Sequence, residues 1–140
     1  MKPRTALIVE DDPDLQEAMS MQLVRMGFTV RGALHYDVAV QHLHEVAEGK
    51  HLEIVCVDLE LPTVSGYEIC EYIRGPLRLL EVPILVTSES RYPEHMAYAE
   101  KAGANAFLRK PFTMKDLAHY VEVLMRKSKR SEPNMRNLRQ

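Results

Sequence analysis

The chain has 140 residues, 46% of them hydrophobic, with a formal net charge of −2 and two cysteines. That length suits one domain with its own core, and no apolar run approaches the roughly 20 residues a membrane helix needs, so membrane insertion is not expected. Met1-Lys2-Pro3-Arg4-Thr5 leads into an apolar run that acids stop at once, too short for a signal peptide, which makes a cytoplasmic location the expectation.

Arg4–Val9 reads as a buried strand closed by Glu10-Asp11-Asp12. Asp14 and Glu17 have capping-box spacing with Asp14 in the cap role, and Leu15, Ala18, Met19, Leu23 and Met26 repeat at helical spacing until Gly27. Phe28–Ala33 is a second strand, and Val40, Leu43, Val46 and Ala47 mark a second helix closed at Gly49-Lys50. Ile54–Asp58 is a continuous apolar run ending in an aspartate, the pattern of a strand buried on both faces. Ile69, Cys70 and Ile73 define a third helix over Gly66–Arg74, which Gly75-Pro76 ends.

Val82–Thr87 reads as a fourth strand, with Pro83 tolerated near its start. Pro93–Ala102 is a fourth helix, alanine-rich and poor in large apolar residues, so it should be weakly anchored. Asn105–Arg109 is a fifth strand, followed by Lys110-Pro111-Phe112. Thr113 and Asp116 then cap a fifth helix with Leu117, Tyr120, Val121 and Leu124 as its stripe. From Lys127 the periodicity is lost, which places one domain at 4–127 and a flexible basic tail, or the start of a linker, at 128–140. Residues 126–140 carry six cations against Glu132 alone. An acidic body with a basic tail does not read as a DNA-binding domain. Cys56 and Cys70 lack CxxC spacing and read as buried reduced thiols. His42 and His44 point to different helix faces and do not pair for a metal.

Five alternating strand–helix units imply an α/β fold, a doubly wound parallel sheet with helices on both faces. All strand C-termini then face one rim, where ligands bind in such folds. That rim collects Asp11 and Asp12 after the first strand, Asp58 after the third, Thr87 after the fourth and Lys110 after the fifth. Three carboxylates in one place repel, each pair at 4 Å by about 4 kcal/mol at an effective dielectric near 20. Mg²⁺, which favours one or two carboxylates, waters and a phosphate, would relieve this. Carboxylate, Mg²⁺ and lysine together suggest phosphoryl transfer to a carboxylate, in which catalysis is positioning and charge neutralisation. Asp58 is the expected nucleophile. Asp11, Asp12, Asp58 and the Glu60 backbone carbonyl are the expected metal ligands, and Lys110 and the Thr87 hydroxyl grip the phosphoryl oxygens.

Glu10-Asp11-Asp12, Asp58 with Pro62 and Gly66 behind it, Thr87, and Lys110-Pro111-Phe112, each at a strand end, resemble the receiver domain of two-component response regulators, chemotaxis-regulator-like in kind. The resemblance covers about residues 4–127. It implies a flavodoxin-like five-stranded sheet ordered 2-1-3-4-5 with five helices. It also implies a histidine kinase or histidine phosphotransfer protein as donor, and a domain that catalyses its own phosphorylation and dephosphorylation without being a conventional enzyme. On the same footing, phosphorylation draws Thr87 inward and turns Phe107 in behind it. That remodels the face of the fourth helix, fifth strand and fifth helix for a downstream protein partner. Phe107 stands where many relatives have tyrosine. Glu60 and Glu89 should flank the phosphoryl group, or pair with Lys110 in its absence.

Two other readings compete. The fold can act as a docking module without phosphorylation, or as the N-terminal receiver of a longer regulator. A haloacid-type phosphatase needs a second aspartate two residues past the nucleophile, where Glu60 stands.

Overall fold

The computed structural model describes residues 4–130. Ten elements alternate in chain order: β1 (Arg4–Val9), α1 (Pro13–Arg25), β2 (Phe28–Ala33), α2 (Tyr36–Ala47), β3 (Ile54–Asp58), α3 (Gly66–Arg74), β4 (Ile84–Ser88), α4 (Pro93–Lys101), β5 (Ala106–Arg109) and α5 (Met114–Arg130). The strands form one parallel sheet in the order β2-β1-β3-β4-β5. Among the described residues, no helix is long and apolar enough to cross a membrane.

Successive side chains of a strand point to opposite faces, and the central strands split accordingly. Leu7, Val9, Val55, Val57, Ile84 and Val86 pack on one face with Leu43 of α2, Ile69 and Ile73 of α3 and Ala99 of α4. Ala6, Ile8, Ile54, Cys56 and Leu85 pack on the other with Met19 and Leu23 of α1 and Leu117, Val121 and Leu124 of α5. Both cysteines are buried free thiols, and burial pushes each up to about 12.

Several local expectations need correction. The cap of α1 is Asp12, not Asp14: its side chain accepts from the backbone N–H of Asp14 and Leu15, and Pro13 opens the helix with no N–H to satisfy. The buried stripe of α2 is Ala39 and Leu43, while Ala47 faces solvent. β4 starts at Ile84 rather than Val82 and takes in Ser88, since Pro83 has no N–H for the ladder. Asn105 lies just outside β5, where its side chain accepts from Ile84 N and the Arg74 guanidinium. α5 runs to Arg130, past the loss of apolar period, because buried Leu124 and Met125 anchor a segment of strong helix formers. The rest of the expected tail, 131–140, lies outside the described residues.

Candidate functional site

The register brings the acidic rim together. Val9 pairs with Val57, and Asp58 pairs with Thr87 across β3 and β4. The two-residue period then sets the side chains: Ala6 and Ile8 lead to Glu10, Ile54 and Cys56 to Asp58, and Leu85 to Thr87, all on the α1–α5 side of the sheet. Glu10, Asp58 and Thr87 are buried, at 1%, 2% and 1% exposure.

Glu10, Asp11 and Asp58 each offer a carboxylate oxygen, and these oxygens lie within 4.8 Å of one another. Asp12, expected in this group, stands outside it: its carboxylate is exposed and spent on the α1 cap. Glu10 is the residue that inspection of the sequence passed over. The alternation of β1 was the available signal, since Ala6 and Ile8 on the inner face point to position 10 and not 12.

Lys110 reaches into the cluster after β5. Its Nζ donates to Asp58 Oδ2 at 3.0 Å and lies 3.0 Å from Glu10 Oε1. Burial disfavours the ammonium, but contact with the two carboxylates outweighs this and holds it above the ordinary lysine range. The other Asp58 oxygen, Oδ1, accepts from Glu60 N at 2.9 Å. Burial pushes Glu10 up to about 7, against the pull of Lys110 and the Asp12 N–H and with the push of the Asp58 charge. Its Oε1 forms an ion pair with Lys110 but has no partner in hydrogen-bond geometry. A buried carboxylate oxygen without a hydrogen bond, in a group of three acids with one lysine, fits a hard divalent cation.

The flanking residues differ from expectation. Glu60 and Glu89 do not pair with Lys110. Glu60 Oε2 accepts from Ser88 Oγ at 2.5 Å and Oε1 from Glu89 N at 2.9 Å, which ties the loop after β3 to the loop after β4. Phe107 pairs with Val86 in the sheet and is partly buried against the α2–α3–α4 core. An open cavity at the mouth of the site is lined by Asp12, Leu15, Glu89, Arg91, Lys110, Pro111 and Phe112. Gly66, the first residue of α3, packs so close to the acceptor strand that a Cβ would stand 2.3 Å from the carbonyl oxygen of Asp58.

A family model described as the response regulator receiver domain matches residues 6–122. The transcriptional regulatory protein GltR of Pseudomonas aeruginosa is 29% identical over 125 residues, 89% of this chain and 50% of that protein. Response regulator RppA of Synechocystis sp. is 30% identical over 132 residues, 94% of this chain and 55% of that protein. The chain thus spans about half the length of the curated relatives it matches. The crystal structure of a putative response regulator from Chloroflexus aurantiacus J-10-fl matches with a TM-score of 0.77 at 30% identity, over 89% of this chain and 98% of that one.

Proposed function

The chain belongs to the response regulator receiver family, and on that footing we propose that it is a phosphorylation switch whose acceptor is Asp58. The observation that carries this reading is the setting of the Asp58 carboxylate. It is buried at the end of β3, gripped by Lys110 Nζ on one oxygen and Glu60 N on the other, with Glu10 and Asp11 beside it.

One Asp58 oxygen attacks the phosphorus of a phosphohistidine on a histidine kinase or phosphotransfer protein. The new O–P bond forms as the P–N bond breaks, and the electron pair leaves on the imidazole. Lys110 follows the charge from the carboxylate to the phosphoryl oxygens, and the Thr87 hydroxyl donates to them from the neighbouring strand. Asp11, Glu10 and Asp58, with the Glu60 backbone carbonyl, are the groups that would hold Mg²⁺. When bound, the ion neutralises the carboxylates and the incoming phosphoryl charge. Asp12 takes the capping role in place of a metal ligand. Thr87 and Phe107 are the switch pair, with the α4–β5–α5 face as readout for a protein partner, in a cytoplasmic setting. The domain is assigned to 4–127.

The test is intact mass after incubation with acetyl phosphate and Mg²⁺, on the wild type and Asp58→Asn, with chelator controls. A metal-dependent gain of one phosphoryl group, absent from the variant, is expected. Undiminished labelling of Asp58→Asn would overturn the assignment.

A further inference from the structure

We propose that Glu60 is a positioning residue that couples the charge state of Asp58 to the N-terminal end of α4. This rests on the phosphoacceptor reading of Asp58 and goes beyond it, because it names a route for the signal that passes through neither Thr87 nor Phe107.

Glu60 faces two ways. Its backbone N–H donates to Asp58 Oδ1, while its carboxylate accepts from Ser88 Oγ and from the backbone N–H of Glu89. From there the hydrogen bonds continue without a break. Ser90 N donates to Ser88 Oγ at 3.0 Å. Ser90 Oγ accepts from Tyr92 N at 3.2 Å and bonds to His95 Nδ1, in the first turn of α4. The run therefore links the acceptor carboxylate to the helix that opens five residues after Ser88.

That helix has little else to hold its near end. Ala99 is its one buried residue, and Tyr92, Met96 and Tyr98 are half exposed or more. Its far end is clamped: Arg74 donates twice to the Gly103 carbonyl, at 3.1 and 2.9 Å, and also to Leu79 O and Asn105 Oδ1. Besides the polar run, the near end has the Tyr67 hydroxyl on the His95 carbonyl, and farther along the helix the Tyr67 ring packs against Tyr98, centroids 4.8 Å apart. A helix pinned at Gly103 and tethered at Tyr92–His95 by exposed polar bonds is built to pivot about its C-terminal end.

Phosphorylation acts on this tether in two ways. With Oδ1 as the attacking oxygen, the atom that accepts from Glu60 N becomes an ester oxygen and accepts hydrogen bonds poorly. The phosphoryl group also sets a charge of about −1.5 to −2 beside a Glu60 carboxylate whose own ligands are only a hydroxyl and one N–H. Both effects push Glu60 away from Ser88 and release the loop. The buried position of Ser88, at 0% exposure, makes the contact specific, because no water can replace Glu60 on its hydroxyl without opening the loop.

Hydrogen–deuterium exchange of the peptide spanning 89–101 reads the tether directly. In the unphosphorylated, metal-free protein, Glu60→Ala and Ser88→Ala are each expected to speed exchange there roughly tenfold, the loss of about one charge-assisted hydrogen bond. Peptides from α1 and α2 should not change. The double variant should fall well short of the sum of the single ones, because both lose the Glu60–Ser88 bond, while Glu60→Ala alone loses the bond from Glu89 N and Ser88→Ala alone the bond from Ser90 N. Glu60→Gln should restore most protection, since its amide can bond both Ser88 Oγ and Glu89 N. Mg²⁺ and beryllofluoride should bring the wild type to the Glu60→Ala rate. Unchanged protection in both alanine variants, additive effects in the double, or beryllofluoride binding without faster exchange would each overturn the coupling. A chain that takes up no beryllofluoride would instead sink the phosphoacceptor reading, while the variant comparison, made without any phosphoryl mimic, decides the tether alone.

Discussion

Asp116 shows how much a single side chain can do at the surface. Its carboxylate accepts from Thr113 N, and Thr113 Oγ1 accepts from Asp116 N, each at 3.0 Å, a reciprocal box that opens α5. The backbone N–H and then the hydroxyl of Thr113 hold its pKa below the ordinary 3.8. A depressed folded pKa means the box contributes fully above that ordinary value and loses its contribution as the pH falls through the folded one. Asp116→Ala should therefore lower the thermal midpoint at neutral pH, and the deficit should narrow once the pH drops below about 3.8. Melts across that range check it; a deficit independent of pH would refute the sign. This box was legible because Thr-x-x-Asp is a local pattern. Asp58 and Thr87 were legible for another reason, since each directly follows an apolar run whose end fixes the rim, and Lys110 follows the short fifth strand one residue later, after Arg109. Three consecutive acids after β1 posed a harder problem. Which of them turns inward depends on strand parity, and which caps the helix depends on where Pro13 starts it. Glu10 turns in and Asp12 caps, whereas position just past the first strand, taken without its parity, puts Asp12 at the metal.

The elements themselves were mostly readable, because apolar period and glycine stops are properties of short stretches. The weak anchoring expected of α4 matches its single buried residue, Ala99. What short stretches cannot reveal is how one element leans on another. α2 buries Ala39 while its larger neighbours Val38 and Val40 stay at least partly exposed, and the Glu60–Ser88 contact joins residues 28 apart in sequence. Gly66 belongs to the same class. A Cβ at this position would meet Asp58 O at 2.3 Å and Leu59 Cα at 2.9 Å, both backbone atoms that cannot step aside. Gly66→Ala must move either α3 or the acceptor loop. Its expected cost is about 1–3 kcal/mol of overpacking. Because the atom it strikes is the Asp58 carbonyl, labelling by acetyl phosphate should slow as well. Denaturant titration and the labelling rate measure the two effects. Full stability with normal labelling would mean that α3 does not press on the acceptor strand.

At the scale of the whole molecule, the rim is where five strands end and where like charges gather on β1 and β3. The fold carries this repulsion within its most buried layer, with Lys110 as the cation in contact with Glu10 and Asp58. A divalent cation bound there would bridge two adjacent strands and stabilise the folded state alone. At a hundredfold excess over its Kd it would contribute about 2.7 kcal/mol, roughly 10 °C in thermal midpoint for a domain of this size. Variants then separate the candidate ligands. Asp11→Asn and Asp58→Asn should abolish the Mg²⁺-dependent rise, and Asp11→Asn should raise the metal-free midpoint slightly by removing a repelling charge. Asp12→Asn keeps a side-chain oxygen for the Asp14 and Leu15 N–H groups, so it should leave both the cap and the Mg²⁺ response intact. Glu10→Gln should weaken the response. If Asp12→Asn removed the rise as fully as Asp11→Asn while Glu10→Gln kept it, the metal would sit on the exposed acid, and the inward-facing cluster would serve Lys110 alone.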